Sequence, residues 1–240
     1  MSTLWNPLSD TYGQTREHLH HLAFFAISPA RQRAVGRMGL RPTPGGFGTP
    51  SFQDRVARVD GTLLVHEESG NTATQPISTV RAAAEFFGGS YEEIWYDGFR
   101  DPLAPADPDS PLVVNEGDAH LIGEWFDFAF EILGRVGDRT EDDDVTEPQI
   151  WPEHFDAASE LGSADDGERA SYGFSPGDSA HPEPYIYVAA WGDIDRTEPY
   201  WNDDAFNGSS LGYAELASSP DPAETALAFF ENGYRILQGR

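Results

Sequence analysis

Gln149-Ile150-Trp151-Pro152-Glu153-His154-Phe155-Asp156 opens the stretch whose reading decides the fold. An acidic loop follows, then Gly173-Phe174-Ser175-Pro176-Gly177-Asp178, then Glu183-Pro184-Tyr185-Ile186-Tyr187-Val188, ending at Trp191. Aromatic residues, prolines, carboxylates and two histidines crowd this region. Three short strand-like segments are expected near 149–156, 169–174 and 185–191, with a fourth at 210–216. Strands in succession followed by a helix point to an α+β fold rather than alternating β-α units.

Outward from that stretch, both flanks supply helices. Asp221-Pro222-Ala223-Glu224 places an N-cap, a proline at the first helical position and a glutamate at the third. Ala226, Leu227, Phe230, Tyr234 and Leu237 then share one face of the final helix. Asn115 is placed to cap a long helix to about Arg135, with Leu121, Ile122, Trp125, Ala129, Ile132 and Leu133 on its apolar side. Residues 9–30 form a third helix on the spacing of Leu19, Leu22, Ala23, Ala26 and Ile27, interrupted at Ser28-Pro29. Residues 55–59 and 62–66 alternate around Asp60-Gly61 as a hairpin, and 79–87 is a short helix ended by Gly88-Gly89. Residues 43–50 and the proline-rich 98–111 read as loops.

The expectation is a single α+β domain over 1–240: a twisted, largely antiparallel sheet with three principal helices packed on it. The like-charge block at 137–148 reads as a solvated connector between an N-terminal half, 1–136, and a C-terminal half, 149–240.

Composition narrows the partners. Net charge is −26 and all 15 basic residues are arginine, with no lysine. Such acidity keeps a chain soluble but opposes compaction unless salt screens it; at molar salt the Debye length is about 3 Å. A halophilic setting is expected. The charge argues against nucleic acid and anionic membranes, both of which need basic surfaces. Without cysteine there are no disulfides or thiolate ligands. The start of the sequence lacks a basic and apolar leader pattern, so a cytoplasmic location is expected.

The motifs Phe174-Ser175-Pro176-Gly177-Asp178 with Pro182-Glu183-Pro184, Trp151 through Phe155-Asp156, and Asp221-Pro222 carry a resemblance. On them the chain resembles an uncharacterised bacterial and archaeal family, a domain of unknown function. That resemblance implies the extent of the domain and no particular activity.

Several patterns weaken when their chemistry is examined. Gly173-Phe174-Ser175-Pro176-Gly177 fits G-x-S-x-G, but the residue after the serine must donate a backbone N–H to the oxyanion hole, and Pro176 has none. It reads as a turn. His18, His20 and His21 cannot all converge from one helix at about 100° per residue, although His18 and His21 can meet. The Gly45–Gly48 glycines lack the lysine and spacing of a phosphate-binding loop and at most form a mobile cover.

Two candidate sites remain. If 150–156 is a strand, its period of two sets His154 and Asp156 on one face as a catalytic acid–base pair. With His181 and Glu183 approaching from the next loop, His154 is also a candidate ligand to a divalent metal, zinc or non-haem iron. Alternatively Trp151, Tyr185, Tyr187 and Trp191 line a pocket for a small-molecule ligand. The leading expectation is a ligand-binding or non-catalytic domain. The alternative is a metal-dependent or acid/base hydrolase using His154, Asp156, His181 and Glu183.

Overall fold

The computed structural model describes residues 4–91, 103–104, 107–140 and 144–239. Its elements are two antiparallel five-stranded sheets and helices, an α+β fold. The chain divides into two compact units. The N-terminal unit is Met1–Asp127 with Ile150–Phe155, and the C-terminal unit is Phe128–Gln149 with Asp156–Arg240.

In the N-terminal unit, α1 (Tyr12–Leu22), a π-helical turn (Ala23–Ile27) and α2 (Ser28–Val35) run on from one another. Ser28-Pro29 therefore does not break the helix, and the reason is local. The Ser28 N–H reaches back five residues to the Ala23 carbonyl, and Pro29, lacking an N–H, falls in the first turn of α2 where none is needed. All five residues of the turn are buried. Gly36, at φ 70°, ends α2.

The first sheet is β1 (Arg41–Thr43), β2 (Gly46–Gly48), β3 (Arg55–Asp60), β4 (Leu63–Glu68) and β5 (Asn71–Pro76), in that order. Asp60 pairs with Leu63, so the expected hairpin forms with Gly61-Thr62 as its turn. The next hairpin turns through Ser69 and Gly70, both at positive φ as a type I′ turn requires. Residues 43–48, expected as a loop and possible cover, form a strand pair instead. Thr43 pairs with Gly46 around Pro44-Gly45, and Gly46, Phe47 and Gly48 are all buried. Bareness is needed here: a Cβ on Gly123 would sit 2.9 Å from the Gly46 Cα, so helix and strand backbones approach directly.

The helix α3 (Val80–Phe86) begins where Thr79 accepts a bond from the Ala82 N–H. The long α4 (Glu116–Thr140) begins at Asn115, whose side chain accepts from the Asp118 N–H at 3.1 Å. Buried Asp118 is in turn held by the Ser9 and Thr11 hydroxyls at 2.7–2.8 Å. The six apolar positions expected on the inner side of α4 are all buried. The helix runs five residues past Arg135, so the start of the acidic 137–148 stretch is helical; residues 141–143 lie outside the described set. Thr146 then exchanges backbone bonds with Glu160.

The second sheet has the order β10-β9-β8-β7-β6: β6 (Gln149–Trp151), β7 (Asp156–Leu161), β8 (Ala170–Ser175), β9 (Tyr185–Ala190) and β10 (Gly208–Gly212). The strands expected as one sheet are thus shared between two. In the C-terminal unit, β8 residues Tyr172 and Phe174 pair with Val188 and Ile186 of β9, and this face is wholly buried. It packs on Phe230 of α6 (Pro222–Leu237), 5.9 Å from Tyr172 and 5.5 Å from Phe174 between ring centroids. Asp221 caps α6 by accepting from the Glu224 N–H. A short helix α5 (Tyr213–Ser218) occupies most of the segment expected as a fourth strand. On the surface, Glu224 and Glu231 of α6 pair with Arg135 and Arg139 of α4.

Candidate functional site

The strand assumed over 150–156 does not form. Residues 152–155 are a turn, closed by the Phe155 N–H donating to the Trp151 carbonyl at 2.8 Å. Phe155 takes φ 54°, costly for an aromatic residue. Burial offsets that cost: the ring is 1% exposed and sits 5.0 Å from Phe47, 5.3 Å from Phe126 and 5.3 Å from His20. Pro152 also lacks the donor that a continuing strand would use. His154 is therefore exposed on the turn of the N-terminal unit, while Asp156 is buried at the start of β7 in the other. They do not share a strand face, and the expected acid–base pair is corrected accordingly.

The histidine that matters structurally near this turn is His20, which motif reasoning set aside. Its Nε2 lies 3.0 Å and 3.1 Å from the Pro152 and Glu153 carbonyls, and its ring stacks on Phe155 at 10°. Burial pushes its pKa down to about 4, outweighing the two carbonyls, which favour the protonated form. His18 and His21 do approach, at 6.4 Å between centroids; the His18 Nδ1 accepts from the Val113 N–H at 2.7 Å.

The outward face of the second sheet carries the more chemically varied group. Opposite the core-facing residues of β9 stand Tyr185 and Tyr187, with Asp156 on β7, Gly173 and Ser175 on β8, and Ser210 on β10. The Tyr187 ring lies directly over Gly173, where a Cβ would come within 2.4 Å of it, and its hydroxyl donates to Asp156. The Tyr185 hydroxyl donates to Asp178 at 2.7 Å. Asp178 also accepts from the backbone N–H groups of Ala180 and His181, which closes the 178–181 turn. That turn brings the His181 ring to 4.5 Å from Tyr185. The His181 Nε2 lies 2.9 Å from Oδ2 of buried Asp203. Phe206 packs edge-on against Tyr187 at 5.9 Å and against His181 at 6.3 Å. Gly208, two residues along, leaves room for its ring, since a Cβ there would lie 2.6 Å away.

Four rings thus form a closed circuit, Tyr185–Tyr187–Phe206–His181, with adjacent centroids 4.5–6.3 Å apart. Three of the four place their polar atom on a carboxylate. Burial, then the bond to Asp178, pushes the Tyr185 phenol far above its ordinary range. Burial and neighbouring Asp156 do the same to Tyr187. Burial alone would raise Asp178, but the bonds from Tyr185 and the His181 and Ala180 N–H groups hold it below the usual carboxylate range.

Of the expected ligand pocket, Tyr185 and Tyr187 come together here. Trp191 lies beyond the end of β9, four residues from Tyr187 or about 13 Å along an extended chain. It is 58% exposed, with its Nε1 donating to Ser171 and Arg169 over its ring at 5.4 Å. Trp151 belongs to the N-terminal unit. Among the described residues, no group of three or more His, Asp or Glu side chains is placed to hold a metal ion. His154, His181 and Glu183 accordingly do not make the expected metal set, and Glu183 is exposed. Ser175 ends β8 with its Oγ accepting from the Gly177 N–H, so this serine shapes a turn. Sequence reasoning missed Asp203 and Phe206. The available signals were Gly173 and Gly208, bare positions inside strands that mark close approach of another group.

An open depression of about 630 Å³ in the N-terminal unit is lined by Ser51, Asp54, Glu67, Glu68, Ser69 and Asn71 among others. It offers carboxylates at the surface and no ring. Among the described residues no helix is long and apolar enough to cross a membrane. No protein-family model, curated protein or solved structure matches this chain.

Proposed function

We propose that this chain is a ligand-binding protein whose recognition surface is the outward sheet face of the C-terminal unit, around His181, Tyr185, Tyr187 and Phe206. The closed circuit of four rings, three of them tied to carboxylates, is the observation that carries this reading. Tyr185 and Tyr187, held by hydrogen bonds at their hydroxyls, present fixed faces, which lowers the ordering cost of binding. The extreme negative charge and the absence of lysine support a cytoplasm of high salt as the setting, and weigh against nucleic acid as the partner.

Ligand-observed NMR with a mixed panel of anionic, neutral and cationic small molecules tests the proposal. At least one member should bind the wild type, and Phe206→Ala should weaken it. A panel with no binder, or binding indifferent to Phe206, overturns the reading.

A second reading, acid–base hydrolysis, draws on the contact of His181 with buried Asp203, an arrangement that orients an imidazole as a base. Turnover of activated ester and phosphate substrates that is lost in His181→Gln would favour it; equal rates in both proteins remove it.

A further inference from the structure

Resting on that binding reading, we infer that the ring circuit of the C-terminal unit is a cage for a small organic cation of the quaternary ammonium class. The circuit closes through four neighbouring contacts of 6.0, 5.9, 6.3 and 4.5 Å. Its planes are tilted or edge-on to one another, between 34° and 75°, so no two rings are stacked flat. A cation is attracted to an aromatic ring when it lies over the face within about 6 Å of the centroid, and centroids this close together let one cation reach more than one ring.

His181, Tyr187 and Phe206 are only partly buried, while Tyr185 forms the floor at 8% exposed. Two bare positions hold the geometry, Gly173 beneath Tyr187 and Gly208 beside Phe206. A larger residue at either would displace a ring.

The charges point the same way. Asp156 takes the Tyr187 hydroxyl, Asp178 takes the Tyr185 hydroxyl, and Asp203 faces His181. A phenol that donates to a carboxylate carries more electron density on its ring, which strengthens attraction for a cation on its face. Arg196 bonds to two backbone carbonyls, those of Asp203 and Phe206, so it shapes the turn carrying the Phe206 ring. Three carboxylates in contact with the circuit favour a positive guest over an anion. Asp203 is 4% exposed and lies 2.9 Å from the His181 Nε2, so a buried carboxylate backs the imidazole of the circuit.

The probes are choline and 3,3-dimethyl-1-butanol, which has the same shape without the charge. Each is titrated into wild-type protein at constant 1 M potassium chloride while the His181 imidazole resonances are followed by NMR. Choline should give saturable shifts, and the neutral probe should bind at least about tenfold more weakly. Phe206→Leu keeps apolar bulk but removes a ring face, and should weaken choline roughly three- to thirtyfold. Phe206→Leu also serves where Phe206→Ala fails to fold. Equal affinity for both probes, or choline binding unchanged in Phe206→Leu, overturns the cage. No choline binding overturns it too, and the mixed panel described above then decides separately whether the face binds anything else.

Discussion

The imidazole of His20 lies flat on the ring of Phe155, 5.3 Å between centroids at 10°, with its Nε2 directed at the carbonyls of Pro152 and Glu153. One helix residue thereby stacks on and bonds to the turn that interrupts the expected strand. The neutral form is the one that burial favours.

The sign of the pH dependence follows. His20 falls from an ordinary 6.5 to about 4 in the folded chain, so the unfolded chain binds more protons between those values. Its contribution is fully present above pH 6.5 and is lost progressively as pH falls toward 4. Between pH 7 and pH 5 the loss is about 2 kcal/mol. His21 and His154 are the neighbouring groups that, when charged, disfavour its protonation further. Urea unfolding of wild type and His20→Gln at both pH values isolates the effect. The wild type should lose more stability than the variant, and equal losses would remove His20 from the account.

Phe155 predicts a larger, pH-independent loss. Truncation to alanine removes a ring buried among Phe47, Phe126 and His20 and keeps the unfavourable φ of 54°. The expected cost is about 3–5 kcal/mol in chemical denaturation. A loss below about 1 kcal/mol would mean that the turn is held by something other than this ring.

Gly173→Ala tests the other unit. The new Cβ would meet the Tyr187 ring at 2.4 Å, so the ring must move and its bond to Asp156 must break or bend. Overpacking of this kind costs about 1–3 kcal/mol. The Tyr187 ring resonances should shift in NMR spectra while those of Phe230, on the opposite face, stay in place. Unchanged Tyr187 signals would contradict the placement.

The phenols should titrate late. Raised tyrosine pKa values mean that the folded chain keeps protons the unfolded chain gives up, so this stabilisation is complete below about pH 10 and is lost as pH rises further. An ultraviolet titration of the folded protein should show a group of tyrosines ionising only with alkaline unfolding. Full ionisation near pH 10 with the fold intact would contradict the network.

Salt is the last variable. With a charge of −26, thermal stability should rise from low salt to molar potassium chloride. A midpoint that stays flat or falls removes the halophilic setting.

What the sequence made legible was local. The Asp221 and Asn115 caps, the Asp60-Gly61 hairpin and the apolar stripe of α4 each follow from residues within a few positions of one another, and each is found. The strand over 150–156 was illegible because its alternation was outweighed by three rings distant in sequence that bury Phe155. β7 was missed because Asp156-Ala157-Ala158-Ser159 has little strand preference of its own and is specified by pairing with β8. The candidate site was half legible. Tyr185 and Tyr187 show their period of two, but Phe206 and Asp203 reach them only through the tertiary turn after 200.

The division of the chain has a consequence for inheritance and synthesis. The boundary between units is crossed at 127/128, 149/150 and 155/156, once in the middle of a continuous helix. Neither unit can be released by one cut, nor moved to another gene as a single block of coding sequence. On the ribosome, the first unit lacks Ile150–Phe155, and with it the ring that His20 stacks on, until nearly two-thirds of the chain has been made. Growth from the N-terminus therefore gives this protein no early, self-sufficient half; a nascent chain paused before Phe155 is exposed to quality control with its first core still open.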